Sequence, residues 1–183
     1  MVEVSEYFPG LKLTLDVRFR LATKEDLPLL EWYGQYTHFR RVFAKTFREQ
    51  QLGSRVMLVA DLNGFPVGQI FILLHMNQAR GNMYPRAARR GYLYSLRVMD
   101  HLQGMGIGTR LIQEAEKILK HRGLQWAIIS VAKNNSRARQ LYERLGYRVY
   151  TESPGVWQYI NHLGKIIKMH EPSWMLEKRL KNA

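Results

Sequence analysis

The chain has 183 residues, with 28 lysines and arginines against 15 aspartates and glutamates and a formal net charge of +13. This length allows one domain with a buried core, and 46% hydrophobic and 23% charged residues exclude a wholly disordered chain. Because the chain contains no cysteine, disulfide frameworks, thiolate metal sites and cysteine nucleophiles are also excluded.

Up to residue 76, hydrophobic periodicity and turn residues predict a strand, two helices and two further strands. In chain order, these elements cover residues 17–21, about 23–32, about 38–50, 55–61 and 65–76. Thr23 is a typical helix N-cap, and Asp26 stands at the position that reaches back to it. Asn63-Gly64 is a strong two-residue hairpin signal, so the two later strands are expected to pair. Residues 1–14 are interpreted as an N-terminal extension.

Beyond a long basic loop at residues 77–90, the chain alternates between strands and helices. The predicted order is a strand at 92–98, a helix at 105–122, a strand at 126–131, a helix at 136–145, a strand at 147–150 and one final strand within 166–180. In the long helix, Glu116 and Lys120 have the i,i+4 spacing of an ion pair. The sequence therefore predicts an α/β (α+β) fold in one domain, residues 1–183, with a mixed sheet.

A glycine-rich turn lies between a predicted strand and the long helix. Glycines at 104, 106 and 108 leave backbone N–H groups uncovered at the positive end of the helix dipole, an arrangement that suits a pyrophosphate. A tight turn with close packing is the alternative. The turn lacks the Gly-Lys-Ser/Thr of a Walker A loop, and no acidic residue follows near 126–130 as a dinucleotide fingerprint requires. Those two nucleotide-binding motifs are excluded.

Two motifs resemble those of the Gcn5-related N-acetyltransferase (GNAT) family. Gln103-Gly-Met-Gly-Ile-Gly108 resembles its pyrophosphate loop, (Arg/Gln)-x-x-Gly-x-(Gly/Ala), and residues 93–98 resemble the preceding strand. Residues 134–147 resemble the second motif, Asn-x-x-Ala-x-x-Leu-Tyr-x-x-x-Gly-Phe/Tyr. The resemblance covers about residues 15–180. It implies a mixed, mostly antiparallel sheet with helices on both faces and a splayed pair of parallel central strands.

The resemblance also implies acetyl-CoA as co-substrate and direct attack by a primary amine of a small molecule, peptide or protein. The positions that match the family's cofactor-binding residues are Leu96, Arg97, Val98, Gln103, Gly104, Met105, Gly106, Ile107, Gly108, Thr109 and Asn135. Tyr142 matches the tyrosine that protonates the leaving thiolate, a role that suits a phenol. The alternative for Tyr142 is simple packing in the core.

The general base is not identified by the sequence. Many relatives carry a glutamate where this chain has Tyr92 or Ser130. A water relay, Glu152, Asp61 or His75 would have to accept the proton.

The acceptor is also not identified. Trp157, Tyr159 and Trp174 lie in the C-terminal part that often walls the acceptor site in relatives, although core or homodimer contacts would explain them equally. The six histidines show no i,i+4 pair and no HExxH arrangement, so no metal site is predicted.

The basic loop supports a second class of function. Arg80, Arg86, Arg89 and Arg90 interleave with aromatic residues, a mixture that can contact phosphates and stack on bases. A nucleic-acid- or ribosome-associated protein is therefore the alternative, either as a binding module or acetylating an RNA-linked or ribosomal-protein amine. A solvated loop would explain the same residues. No apolar run is long enough to span a bilayer and the start shows no signal-peptide pattern, so a cytoplasmic location is expected.

Overall fold

The computed structural model describes residues 14–74 and 89–180. Within these ranges there are nine strands and four α-helices. They are β1 (Val17–Leu21), α1 (Asp26–Leu29), α2 (Arg40–Gln51), β2 (Arg55–Leu62), β3 (Phe65–Leu73), β4 (Arg90–Val98), α3 (Ile107–His121), β5 (Trp126–Ala132), α4 (Ser136–Arg144), β6 (Arg148–Ser153), β7 (Val156–Ile160), β8 (Ile166–His170) and β9 (Ser173–Arg179). Short 3-10 helices cover Thr37–Phe39 and Asp100–Leu102.

Seven strands form one sheet in the order β1-β2-β3-β4-β5-β9-β6, and β7 and β8 form a separate hairpin. The pairing of β4 with β5 is parallel, whereas the other neighbours in the described sheet are antiparallel. The predicted mixed, mostly antiparallel sheet is confirmed. The prediction of a single strand after residue 150 is wrong, because β7, β8 and β9 all follow β6. The exposed faces of β7 and β8 carry polar residues such as Gln158 and Lys168 among apolar ones, which weakens the alternation that identifies a strand.

The two central parallel strands separate partway along their length. β4 pairs with β5 from Arg90 opposite Trp126 to Leu93 opposite Ile129, and residues 94–98 have no partner on β5. A bulge at this point, where Ser95 has φ +53°, shifts the register between β4 and β3. The splayed pair is therefore confirmed, and the backbone of residues 94–98 faces an open wedge.

Helices cover both faces of the sheet, as predicted. On one face, α3 packs on the large core through Leu111, Ile112 and Leu119, which are fully buried, and α4 packs on it through Tyr142. On the other face, Phe43 of α2 packs against Phe71 of β3. Burial of each such large apolar side chain contributes about 1.5–3 kcal/mol. Among the described helices, none is long and apolar enough to cross a membrane.

Glu116 does not pair with Lys120 as its spacing predicts. Glu116 is buried, and its carboxylate accepts hydrogen bonds from Lys178 Nζ at 2.7 and 2.9 Å and from the Tyr147 hydroxyl at 2.9 Å. The carboxylate raises the pKa of Tyr147 further above the value that burial alone would give. This cluster joins α3 to β9, and the ion pairs of the described residues include none between Glu116 and Lys120.

Candidate active site

The glycine-rich turn forms an open nest at the start of α3. Gly104 and Gly106 have φ of +85° and +86°, and a Cβ built on either residue would meet no atom within 4 Å. Gly106 is the N-cap of the fifteen-residue helix α3. In the described part of the chain, the backbone N–H groups of residues 104–109 donate to no protein acceptor. Uncovered N–H groups at a helix N-terminus bind anions, so this nest fits the diphosphate that the sequence predicts.

Side chains brace this nest from two directions. Gln103 donates from Nε2 to the Val98 carbonyl at 3.0 Å and to Asp100 Oδ1 at 2.8 Å, and it accepts from Arg137 Nη1 at 3.0 Å. Because its side chain is hydrogen-bonded within the protein, we expect Gln103 to contact a ligand through its backbone. Arg137, in the first turn of α4, brings an exposed cation to the rim of the nest. Arg137 is not among the residues predicted from the sequence, although it lies only two residues after Asn135 in the second motif.

The predicted cofactor residues on β4 are divided between the two faces of the sheet. Leu96 and Val98 pack on the α3 side, and their backbone lies on the unpaired edge of the wedge. Ile107 is buried in the same core, so only its backbone faces the nest, whereas Met105 is 62% exposed. Asn135 is the N-cap of α4 and accepts from the Ala138 N–H at 3.0 Å. The Arg97 side chain lies on the opposite face, away from α3.

Tyr142 lies on α4 and is 6% exposed. Its ring is 6.2 Å from that of Tyr147, at a tilt of 57°. Burial, with a smaller contribution from Tyr92, raises the pKa of Tyr142 to about 12. The phenol therefore keeps its proton at neutral pH, as a proton donor must.

A second cluster lies on the α2 face of the sheet. The Arg97 guanidinium lies over the rings of Tyr36 and Phe39, at 4.5 and 4.7 Å from the ring centroids. Phe39 also contacts Tyr159 of β7 at 4.8 Å and His38 at 4.2 Å. We call Tyr36, His38, Phe39, Arg97 and Tyr159 the Arg97 cluster. It brings together three parts of the chain: the 3-10 turn before α2, the end of β4, and the β7–β8 hairpin.

The titratable groups of this region influence one another. Burial lowers the pKa of His38, and the charges of Arg97 and His162 lower it further. Glu31 is held by Arg40 at 2.6 and 2.9 Å and by the Thr37 hydroxyl at 2.7 Å, and these contacts lower its pKa. His38 is therefore neutral at neutral pH, and Glu31 is ionised and already paired.

Among the other sequence candidates, Asp61 and Glu152 are paired with residues outside the Arg97 cluster. Asp61 accepts from Arg20 at 2.6 Å and from the Gly64 N–H at 2.7 Å, and Glu152 accepts from Lys133 at 2.5 Å. His75 lies outside the described residues. Trp157 stacks on Tyr159 at 5.5 Å and so borders the Arg97 cluster, whereas Trp174 lies between Lys133 and Arg139. Of the three candidate aromatic residues, two lie at the cluster and Trp174 does not.

Arg90 is not part of a solvated basic loop. It is the first residue of β4, it is 8% exposed, and its Nη1 donates to Glu177 at 2.7 Å while the guanidinium lies over Trp126 at 5.2 Å. The prediction that Arg90 contacts a polyanion is therefore wrong, because the parallel strand pairing draws it into the sheet. Arg89 is exposed, and Arg80 and Arg86 lie outside the described residues.

Comparison with known proteins identifies relatives of this chain. The chain is 27% identical over 130 residues to the N-alpha-acetyltransferase of Sulfurisphaera tokodaii, a match that covers 70% of each chain. It is 33% identical over 78 residues to N-alpha-acetyltransferase 30 of Schizosaccharomyces pombe, which covers 39% of this chain and about half, 52%, of that protein. The structure of Arabidopsis thaliana NAA60 in complex with acetyl-CoA superposes with a TM-score of 0.67 at 18% identity, covering 91% of this chain and all of that one.

The family model for the acetyltransferase (GNAT) family matches residues 22–147. This range includes both sequence motifs, the nest and the wedge between β4 and β5. The likeness to solved structures extends the same fold to the C-terminal strands. One family accounts for the two motifs, the splayed strands and the core. The chain therefore belongs to the acetyltransferase (GNAT) family.

Proposed function

We propose that this protein transfers an acetyl group from acetyl-CoA to a primary amine. The observation that carries the proposal is the open nest of N–H groups at residues 104–109, which follows the unpaired end of β4 after one short 3-10 helix. The names of relatives support it, since those from Sulfurisphaera tokodaii and Schizosaccharomyces pombe are N-alpha-acetyltransferases. No residue of the chain needs to be acetylated, in agreement with the absence of cysteine.

Each part of the site has one role in this reaction. Acetyl-CoA supplies an activated thioester. The N–H groups of the nest bind the diphosphate of acetyl-CoA. The free backbone edge at Leu96 and Val98 orients its pantetheine chain. As the acceptor nitrogen forms its bond to the carbonyl carbon, the carbon–sulfur bond breaks and Tyr142 gives its proton to the sulfur.

The amine must also lose a proton to a base. Within the described residues, His38 is the base candidate that the geometry supports best. His38 lies beside Arg97, and Arg97 belongs to β4, the strand that forms one wall of the wedge. The lowered pKa of His38 leaves its imidazole free to accept a proton at neutral pH. Asp61 and Glu152 are committed to other partners.

Binding of acetyl-CoA tests the proposal, with two matched variants of helix α3. Gly106→Glu places a negative charge in the nest at its N-terminus. Gly123→Glu makes the same change beyond the C-terminal end, where the glycine also has a positive φ, +74°, and open space around its Cβ. The backbone strain and the charge change are therefore comparable. Isothermal titration should show acetyl-CoA binding by the wild type and by Gly123→Glu, and none by Gly106→Glu.

Two outcomes would contradict the proposal. A folded wild type that releases no heat with acetyl-CoA lacks the expected co-substrate site. Equal loss of binding in both variants would mean that helix stability, and not the nest, determines the result. Melting temperatures of the three proteins distinguish this second outcome from a specific loss.

The proposed contact with a polyanion is now limited to Arg80, Arg86 and Arg89. Arg89 is exposed at the end of the basic loop, and the net charge of +13 favours association with RNA or another phosphate-rich partner. The acceptor amine would in that case lie on such a partner. The homodimer remains a prediction as well, and gel filtration with light scattering tests it directly.

A further inference from the structure

Three buried polar atoms have no hydrogen-bond partner in the described part of the chain: Gln69 Oε1, Arg97 Nη1 and His162 Nδ1. Buried polar groups in native proteins are nearly always hydrogen-bonded, so each such exception requires an explanation. These three atoms are not scattered. Gln69 lies opposite Arg97 in the register of β3 and β4, and His162 and Arg97 both act on the pKa of His38.

Within residues 14–74 and 89–180, Arg97 has aromatic neighbours but no carboxylate partner. Its guanidinium lies over Tyr36 and Phe39 at 4.5 and 4.7 Å. Both carboxylate oxygens of Glu31 already accept hydrogen bonds from other residues. One accepts from Arg40, and the other accepts from both Arg40 and Thr37. A buried cation without an anionic partner is costly, and a ligand that supplies the anion removes that cost.

Arg97 lies on the part of β4 that borders the proposed acetyl-CoA site. Its neighbours Leu96 and Val98 pack on the α3 side of the sheet, and their backbone borders the wedge. The side chain of Arg97 projects from the same stretch of strand toward the other face, where the β7–β8 hairpin contributes Tyr159. Arg97 therefore links that face of the sheet to the strand whose backbone borders the wedge.

We propose that the acceptor amine carries a carboxylate close to its nitrogen and that Arg97 binds this carboxylate. A guanidinium binds a carboxylate with two parallel hydrogen bonds, and aromatic rings above it fix its plane. Gln69 Oε1 supplies an acceptor for an N–H of the same ligand. This inference rests on the proposed acetyl transfer and adds the chemical class of the acceptor. The carboxylate belongs either to a free amino acid or to an acidic second residue of a peptide.

Matched acceptors that differ only in the carboxylate test the proposal and separate its two sources. One pair is phenylalanine and phenethylamine. The other pair is an eight-residue peptide amide that begins Ala-Glu and its Ala-Gln counterpart. For each acceptor, kcat and KM are measured with acetyl-CoA, and equilibrium binding is measured with CoA in place of acetyl-CoA. Binding in the presence of CoA requires no turnover, so it tests Arg97 independently of the proposed function.

Arg97→Gln removes the cation, and Arg41→Gln is the matched control, because Arg41 is an exposed arginine beside Gly164 of the β7–β8 turn. We expect the wild type and Arg41→Gln to prefer the carboxylate member of at least one pair by tenfold or more, through KM. In Arg97→Gln this preference should fall below threefold while the affinity for acetyl-CoA stays unchanged. Arg97→Lys, which keeps the charge but not the planar fork, should retain an intermediate preference.

Several results would overturn the proposal. The first is equal binding of both members of each pair by the wild type. The second is an unchanged preference for the carboxylate in Arg97→Gln, and the third is an equal loss of that preference in Arg41→Gln. If Arg97→Gln does not fold, Arg97→Lys decides, because a full wild-type preference there would show that the fork is not used. Failure to bind acetyl-CoA would instead refute the proposed function, whatever the carboxylate preference.

Discussion

Burial gives Tyr142 the protonation state that the proposed reaction requires. Its pKa of about 12 keeps the phenol neutral across the physiological range. The same exclusion of water disfavours a thiolate left in the wedge and therefore makes the sulfur more basic. A donor that is weak in water can consequently still protonate the leaving group here.

Replacing Tyr142 by phenylalanine tests this role. Because the ring stays and only the hydroxyl is lost, acetyl-CoA affinity should be unchanged, whereas kcat should fall by about 10²–10⁴-fold, the usual contribution of a general acid. The loss should appear in kcat and not in KM, since the proton moves in the transition state.

A Tyr142→Phe enzyme within about threefold of the wild-type kcat, under conditions where product release does not limit turnover, would contradict the assignment. Simple core packing is the alternative for this residue. It predicts a near-normal rate, with at most a lower melting temperature.

His38 should make the stability of the fold depend on pH. Its pKa in the folded protein lies below the unfolded value of about 6.5, so the folded state binds fewer protons. His38 therefore costs no stability above pH 6.5, and stability is lost as the pH falls from there toward the lowered pKa. In His38→Gln, the melting temperature should decrease less between pH 7.5 and 5.5 than in the wild type. Parallel decreases in the two proteins would show that other groups dominate.

At this scale, the sequence predicts what is local. The nest at 104–109 follows from glycines within a single turn, and Tyr142 follows from a motif within a single helix. The Arg97 cluster does not follow from either motif, because Tyr36, Phe39 and Tyr159 come from segments distant from β4 in the sequence. No spacing in the sequence encodes those contacts.

Among the elements, α3 and β4 pack closely together at Gly91. A Cβ at Gly91 would lie 2.2 Å from Leu119 Cδ2, and Leu119 is fully buried. A side chain at this position would force the helix away from the strand that carries the wedge. The parallel pairing of β4 with β5 begins at the same level, so the helix, the strand and the wedge are positioned together.

Gly91→Ala should therefore destabilise the protein by about 1–3 kcal/mol, as overpacking of a core does. Gly108→Ala is the matched control, because its Cβ would lie at ordinary contact distance, 3.7 Å from Val98 Cγ2, within helix α3. Alanine at a helical position free of clashes is favoured over glycine by about 0.5–1 kcal/mol. Chemical denaturation should thus give shifts of opposite sign, and a neutral Gly91→Ala would show that Leu119 can move away freely.

The sequence predicts the elements that have a clear periodicity or turn signal and misses the β7–β8 hairpin, which has neither. Helix α3 and the β2–β3 hairpin follow from an apolar stripe and from Asn63-Gly64. The β7–β8 hairpin is missed because its strands have five residues each, with polar residues among the apolar ones on their outer faces. Its position is determined by contacts with the 3-10 turn before α2, such as that between Phe39 and Tyr159.

For the whole molecule, the positive charge is the property most easily tested. If the basic loop contacts a polyanion, retention on heparin or RNA should weaken steeply with salt. Replacing Arg80, Arg86 and Arg89 by glutamine should reduce the slope of log affinity against log salt by about 0.9 for each phosphate contact that is lost. The control removes an equal charge elsewhere, at Lys24, Arg122 and Lys168, which are exposed.

A slope that falls equally in both triple variants would show that only net charge matters. An unchanged slope, or no retention of the wild type at low salt, would show that the loop is solvated surface.

The place of β9 in the sheet has a consequence for how the chain reaches this structure. β9 is the last strand described, yet it lies between β5 and β6. During synthesis, β1 to β5 can pair as they leave the ribosome, while β6 has no strand to join until β9 has emerged. Until then, β5 presents a bare edge of buried residues such as Ala127 and Ile129, and such edges pair readily with other chains. Completion of this sheet must therefore wait for β9, and a chain interrupted before β9 is exposed to aggregation along β5.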